Sequence, residues 1–75
     1  MNLKEKAAEI RRLQNDEAFQ YLFKSIKEDQ SSIFLNPHSS AEDRESAHNI
    51  VIALSKIEDR IAQIILDEAI FDKRH

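Results

Sequence analysis

Histidine is the side chain in this 75-residue sequence best suited to bind a transition metal, and His38 and His48 lie ten residues apart. A zinc site on a helix needs histidines at i, i+4 spacing or cysteines beside them, and the sequence has no cysteine. We expect His48 instead either to join Asp29 and Gln30 in a polar layer near the end of a hairpin or simply to be exposed. The sequence therefore predicts no metal site and no cofactor.

The 14 carboxylates of the sequence are its other reactive groups, and they are spread along the chain as surface charges. General acid–base catalysis needs a carboxylate held in a concave, partly apolar site, which a narrow helical protein offers little room to form. Nothing marks a nucleophile elbow or a positioned triad, and a sequence without glycine cannot form a Gly-rich phosphate loop. These features predict a protein that is not an enzyme.

The charge distribution bears on nucleic-acid and membrane partners. Formal net charge is −3, and only residues 1–13 are mildly basic, whereas a DNA-binding helix gathers Lys and Arg on one face. This argues against direct nucleic-acid binding. No apolar run approaches the roughly 18–20 residues that span a bilayer, and no signal peptide opens the sequence. We expect no membrane partner and no secretion by a signal peptide.

Proline and the capping residues predict where helices begin and end. Pro37 lacks an N–H and disfavours the α conformation of Asn36, so a helix should end there, and Ser39 or Ser40 can cap the next one. A softer break is expected at Asn15-Asp16, although one bent helix from residue 3 to residue 35 is the alternative. The predicted helices cover about residues 3–13, 17–35 and 41–71.

The predicted architecture is all-α, with no strand and with a single domain over residues 1–75. At 1.5 Å per residue the third helix measures roughly 46 Å, about the length of the first two laid end to end. We therefore expect an antiparallel helical hairpin in which one long C-terminal helix packs against two shorter collinear helices.

Apolar residues at alternating spacings of three and four form a seam along the third helix, and the second helix carries a matching stripe. Folding about Pro37 is expected to bring Ile26 near Ile50 and Leu22 near Leu54. The predicted hairpin core consists of Phe19, Leu22, Phe23, Ile26, Ile33, Ile50, Leu54, Ile57, Ile61 and Ile64.

The C-terminal half of the third helix is apolar on more sides than its own chain can cover. A chain this small also buries too little surface to be well stabilised without disulfides, a metal or association. We therefore predict a homo-oligomer, with a subunit interface formed by Leu3, Ala7, Ile10, Ala62, Ile65, Leu66, Ala69 and Ile70.

The run Asn15-Asp16-Glu17-Ala18-Phe19-Gln20-Tyr21-Leu22-Phe23, followed by the Phe34-Leu35-Asn36-Pro37 turn and a long helix, resembles small all-helical virion or assembly proteins of tailed bacteriophages. In that class an acidic segment opens a helix that pairs with a long C-terminal one. The resemblance implies an oligomeric structural, accessory or assembly component without enzymatic activity. It brings no defined set of functional residues.

Together these observations predict a non-enzymatic structural or assembly component, of a bacteriophage particle or its morphogenesis, that binds itself and is a candidate to bind other virion or assembly proteins. Its expected location is the host cytoplasm or the assembled virion. The alternative is a small acidic regulatory adaptor or antitoxin-like protein that occupies a basic groove on its partner.

Overall fold

Three helices make up the fold: α1 (Leu3–Gln14), α2 (Glu17–Leu35) and α3 (Ala41–Arg74). The structure is a computed structural model that describes residues 1–74, so His75 lies outside the described residues. The long α3 packs against both shorter helices, and residues 1–74 contain no strand. This confirms the all-α hairpin. The predicted end of α3 at Phe71 was too early, because the helix continues to Arg74.

A capping side chain opens each helix. Asn2 Oδ1 accepts a hydrogen bond of 2.8 Å from the Glu5 N–H, and Asp16 Oδ1 accepts one of 2.8 Å from the Phe19 N–H. At α3 it is Ser40, rather than Ser39, whose hydroxyl oxygen accepts a 3.0 Å bond, from the Asp43 N–H. Each bond satisfies a donor that the first turn of a helix leaves without a partner.

The break between α1 and α2 is two residues long. Asp16 has extended backbone angles, φ −76° and ψ 123°, and its N–H donates to the Leu13 carbonyl at 3.1 Å. The helical hydrogen-bond pattern stops there and restarts at Glu17. Two separate helices therefore form, and not the single bent helix that was the alternative.

The loop after α2 sets the register of the hairpin. Asn36 is extended, as a residue before proline should be, and its side chain accepts a 2.9 Å bond from the His38 N–H. Arg44 on α3 reaches back and donates to the carbonyls of Asn36 and Pro37, at 3.2 and 3.4 Å. Pro37 and His38 then form a turn, in which the Ser39 N–H donates a 3.1 Å hydrogen bond to the Asn36 carbonyl before α3 begins.

The loop shifts the hairpin away from the pairing predicted by simple folding about Pro37. Lys27 forms an ion pair with Glu58, and the rings of Phe34 and His48 lie 6.4 Å apart. These contacts place Asp29 level with about residues 53–56 of α3. The expected proximities of Leu22 to Leu54 and of Ile26 to Ile50 were therefore wrong by roughly two helical turns, because the prediction placed the start of α3 level with the end of α2, whereas α2 ends level with about His48.

The result is a rod that measures 55 × 22 × 18 Å. Its radius of gyration is 16.3 Å, whereas about 11 Å is expected for a compact domain of this length. Two layers of helix run side by side along the whole rod, so no residue lies far from solvent.

Candidate interaction surfaces

The buried core follows one line of α3. Ala47, Leu54, Ile61 and Glu68 are buried and recur every seven residues, which is the spacing that keeps a helix face against its partner over several turns. Ala7 of α1 is the remaining buried residue among those described, and α2 contributes none. A core of two alanines, one leucine and one isoleucine is small for a chain of this length.

Glu68 holds α1 against α3. Its carboxylate accepts a 2.9 Å charge-assisted hydrogen bond from the Arg11 guanidinium, although the glutamate is only 5% exposed. This pair was not predicted from the sequence. The available signal was a carboxylate one heptad beyond Ile61 on an otherwise apolar line, since a charge at a core position requires a partner.

Packing of α1 on α3 buries part of the predicted subunit interface within the chain. Ala7 is completely buried, so it offers no surface to another molecule, and the interface prediction was wrong for this residue. Because α1 packs on this half of α3, part of the predicted interface faces inward. The half-buried members of the predicted set are Leu3, Ile10, Ile65 and Ala69.

Three predicted interface residues remain exposed on α3. Leu66 and Ile70 are 52% and 42% exposed, and Ala62 precedes Leu66 by one turn. Residues four apart on a helix lie on one face, so these three form a single surface, which we call the C-terminal patch.

The predicted hairpin core is also only partly buried. Leu54 and Ile61 are buried as predicted, whereas Phe19, Phe23, Ile26 and Ile64 are half-buried. The prediction of a buried position was wrong for the exposed residues, because α1 and α2 pack on the Ala47–Glu68 line of α3 rather than on the neighbouring Ile50–Ile57 line. These exposed residues are Leu22, Ile33, Ile50 and Ile57.

These four exposed residues lie on one side of the hairpin. Ile33 and Ile50 line the same shallow hollow across the two helices. Leu22 precedes Ile33 by three turns, and Ile57 follows Ile50 by two, so each pair shares a helix face. We call this surface the isoleucine face: Leu22, Ile33, Ile50 and Ile57, at 58%, 37%, 40% and 47% exposed.

The opposite side of the hairpin is more polar. The Lys27 ammonium lies 5.3 Å from the centre of the Phe23 ring and pairs with Glu58. A hollow of about 450 Å³ opens beside them, with Phe19 and Ile61 in its wall. Of the two expectations for His48, exposure is the one observed: within residues 1–74 it forms no polar layer with Asp29 and Gln30, and its ring lies 6.4 Å from that of Phe34.

The chain exposes 6072 Å² of surface. A compact monomer of 8.7 kDa is expected to expose about 4,700 Å² by the usual scaling of area with mass. The excess is therefore about 1,300 Å², and much of it is apolar because large aliphatic side chains are exposed on both sides of the rod.

Two classes of site can be assessed over residues 1–74. That part of the chain contains no cluster of three histidine or carboxylate side chains able to hold a metal ion. None of the helices there is long and apolar enough to span a bilayer. No protein-family model, curated protein or solved structure matches the chain.

Proposed function

We propose that this protein is a non-enzymatic structural or assembly component that acts by associating with itself through exposed apolar helix faces. The observation that carries the proposal is the surface area of 6072 Å², about 1,300 Å² above that expected for a compact monomer of this mass. Burial of the excess in an assembly would bring the chain to the ordinary ratio of surface to mass.

The small core supports the same proposal. Four apolar residues are buried among those described, two of them alanines, and each ordered residue loses roughly 1–2 kcal/mol of backbone conformational entropy on folding. An interface that covered ~500 Å² of apolar surface would contribute roughly 12 kcal/mol before the costs of association. Association can therefore supply stability that a single hairpin lacks.

We place this activity in a tailed-bacteriophage particle or its morphogenesis on the resemblance of the segment Asn15–Phe23 and the turn at Pro37 to small helical virion and assembly proteins. The partners are then further copies of this chain, with other virion or assembly proteins as candidates. Recovery of the protein from purified particles, with antibody to the chain as the probe, tests this setting. Absence from particles and from assembly intermediates would remove it.

Sedimentation equilibrium over a range of protein and salt concentrations tests self-association. We expect a discrete homo-oligomer at micromolar concentration whose dissociation constant changes little with salt, because apolar burial is not screened by ions. A monomer throughout that range would contradict the proposal. A monomer that forms a salt-sensitive complex with one basic target would favour the acidic adaptor.

A further inference from the structure

We propose that the side of α3 that carries Ile57 and Ile64 pairs with the same side of α3 in a second copy, with the two helices antiparallel. The two-fold axis lies in the plane of this surface, runs across the rod from α3 towards the shorter helices, and crosses α3 beside Ile64. Such an axis reverses the direction of the second rod and leaves α3 beside α3. The inference rests on the proposed function and adds to it the surface, the partner and the symmetry.

A second apolar line runs along α3 beside the buried core line. Its members recur every seven residues, each three residues after a residue of the core line: Ile50, Ile57, Ile64 and Phe71. Ile64 is half-buried, whereas Ile50, Ile57 and Phe71 are 40%, 47% and 50% exposed. Apolar residues that alternate at spacings of three and four form a seam along which another helix can pack. The shorter helices cover the core line, and the second line is exposed along most of its length.

Opposite charges flank this second line. Arg60 and Asp67 each precede a residue of the core line by one position, so both lie on the same side of α3 as Ile57 and Ile64. Both are exposed, and neither forms an ion pair within residues 1–74. The Asp67 carboxylate accepts one hydrogen bond there, of 2.7 Å from Gln63. Each charge therefore has capacity for a partner from outside the chain.

The order of these charges fits a second copy of the chain. The midpoint between residues 60 and 67 lies beside Ile64. When a two-fold axis passes through this midpoint, Arg60 of each copy lies level with Asp67 of the other, and two ion pairs form at once. Charged residues beside an apolar seam set the choice and direction of the partner helix. A partner helix with charges of one sign would repel either Arg60 or Asp67, whereas the same surface in reverse attracts both.

The same axis brings apolar residues together. Ile64 lies beside Ile64 of the other copy, and Ile57 lies close to Phe71 of the other copy, because both pairs are centred within one residue of the midpoint. Leu22 on α2 is level with about residues 60–63 of α3, so it also lies near the axis and is covered. The Ile33 and Ile50 end of the isoleucine face lies at the edge of this contact.

The size of the contact suits a dimer. In this arrangement the two α3 helices overlap over about 22 residues, or roughly 33 Å. The rod is 22 Å and 18 Å across in its two shorter dimensions, so the overlap covers roughly 600–700 Å² on each copy. Standard interfaces bury about 600–1,000 Å² on each partner. The contact is also within the excess surface of about 1,300 Å² that the chain exposes.

Charge reversal tests the pairing. We expect Arg60→Asp and Asp67→Arg each to raise the dimer dissociation constant at least about tenfold, because each places like charges together at two symmetric sites. The double variant Arg60→Asp/Asp67→Arg should restore the parental dissociation constant to within about threefold, since it re-forms both pairs with the signs exchanged.

Matched controls make the same changes of charge on α2. Lys24 and Glu28 form an exposed pair at 3.9 Å, and Lys24 lines the hollow on the opposite side of the hairpin. Lys24→Asp and Glu28→Arg should alter the dissociation constant by less than about threefold. Circular dichroism above the dissociation constant checks that every variant is helical. Singles that behave like these controls, or a double variant that stays weak, would overturn the proposed pairing.

A further variant separates this inference from the proposed function. Ala62 follows Ile61 by one position, whereas Arg60 precedes it by one, so the C-terminal patch lies on the other side of the core line. If the parent associates, Leu66→Asp should therefore leave its dissociation constant within about threefold of the parental value. Loss of association in Leu66→Asp with unchanged binding in Arg60→Asp would overturn the inference while self-association stands. A parent that is monomeric at every concentration would overturn both.

Discussion

Glu68 explains why α1 has a defined place on the rod. It occupies the core line of α3 after Ala47, Leu54 and Ile61, where a charge without a partner would lose its hydration and gain nothing. The Arg11 guanidinium supplies that partner at 2.9 Å. Because the pair forms only in one register of α1 on α3, it selects this register over those that would slide α1 along the helix.

We expect Arg11→Met to lower the free energy of unfolding by about 1–3 kcal/mol, since it leaves a buried carboxylate without its hydrogen bond. The Arg11 side chain is 44% exposed, and solvent screening places the effect below that of a fully buried pair. Urea denaturation at one fixed protein concentration measures the change.

Arg12→Met is the matched control. Arg12 pairs with Glu9 on the same helix at 2.9 Å, and both side chains are more than half exposed. Such a surface pair contributes less than about 1 kcal/mol. Equal effects of the two substitutions would contradict a special role for the Arg11–Glu68 pair.

At the scale of elements, the division between α1 and α2 depends on one cap. Asp16 accepts the hydrogen bond that opens α2, whereas the neighbouring Asn15 makes no side-chain hydrogen bond within residues 1–74. The two-residue break leaves α1 and α2 nearly in line, so both can pack along the single helix α3.

We predict that Asp16→Ala lowers the free energy of unfolding by about 1 kcal/mol, the usual loss when an N-cap oxygen is removed. Asn15→Ala should change it by less than about 0.5 kcal/mol, because no capping bond is lost. Thermal unfolding of the two variants at equal concentration makes the comparison. A larger loss of stability in Asn15→Ala than in Asp16→Ala would show that Asn15, and not Asp16, stabilises the start of α2.

Helix boundaries could be predicted from the sequence because their causes are local. Pro37, Ser40 and Asp16 act on the backbone within a few residues of themselves, so their effect does not depend on the rest of the fold. The expected helices consequently begin at the observed residues and end close to them.

Burial could not be predicted equally well, because it depends on the register between helices. The helix α2 lies roughly two turns further along α3 than simple folding about Pro37 would place it, which no local pattern indicated. Packing of α1 and α2 on the Ala47–Glu68 line of α3 then buried Ala7 and left Ile50 and Ile57 exposed. Both lines on α3 are apolar at heptad spacing, so the sequence alone does not choose between them.

The whole molecule exposes many large apolar side chains and buries few in its core. Its radius of gyration of 16.3 Å and surface of 6072 Å² both describe an extended pair of helical layers with one line of buried residues. Association that covered one side of the rod would lower its exposed surface towards the value expected for a compact protein of this mass. Folding and association should then be coupled, as in obligate dimers whose protomers are not stable alone.

The most direct measurement is helicity against dilution, recorded by far-ultraviolet circular dichroism from high micromolar to low nanomolar protein and compared with the mass in solution. We predict that helicity falls on dilution, in the same concentration range in which the mass falls to that of one chain, because a single rod buries too little to stay folded. A monomer that retains full helicity at nanomolar concentration would contradict this prediction and the case for an assembly component with it.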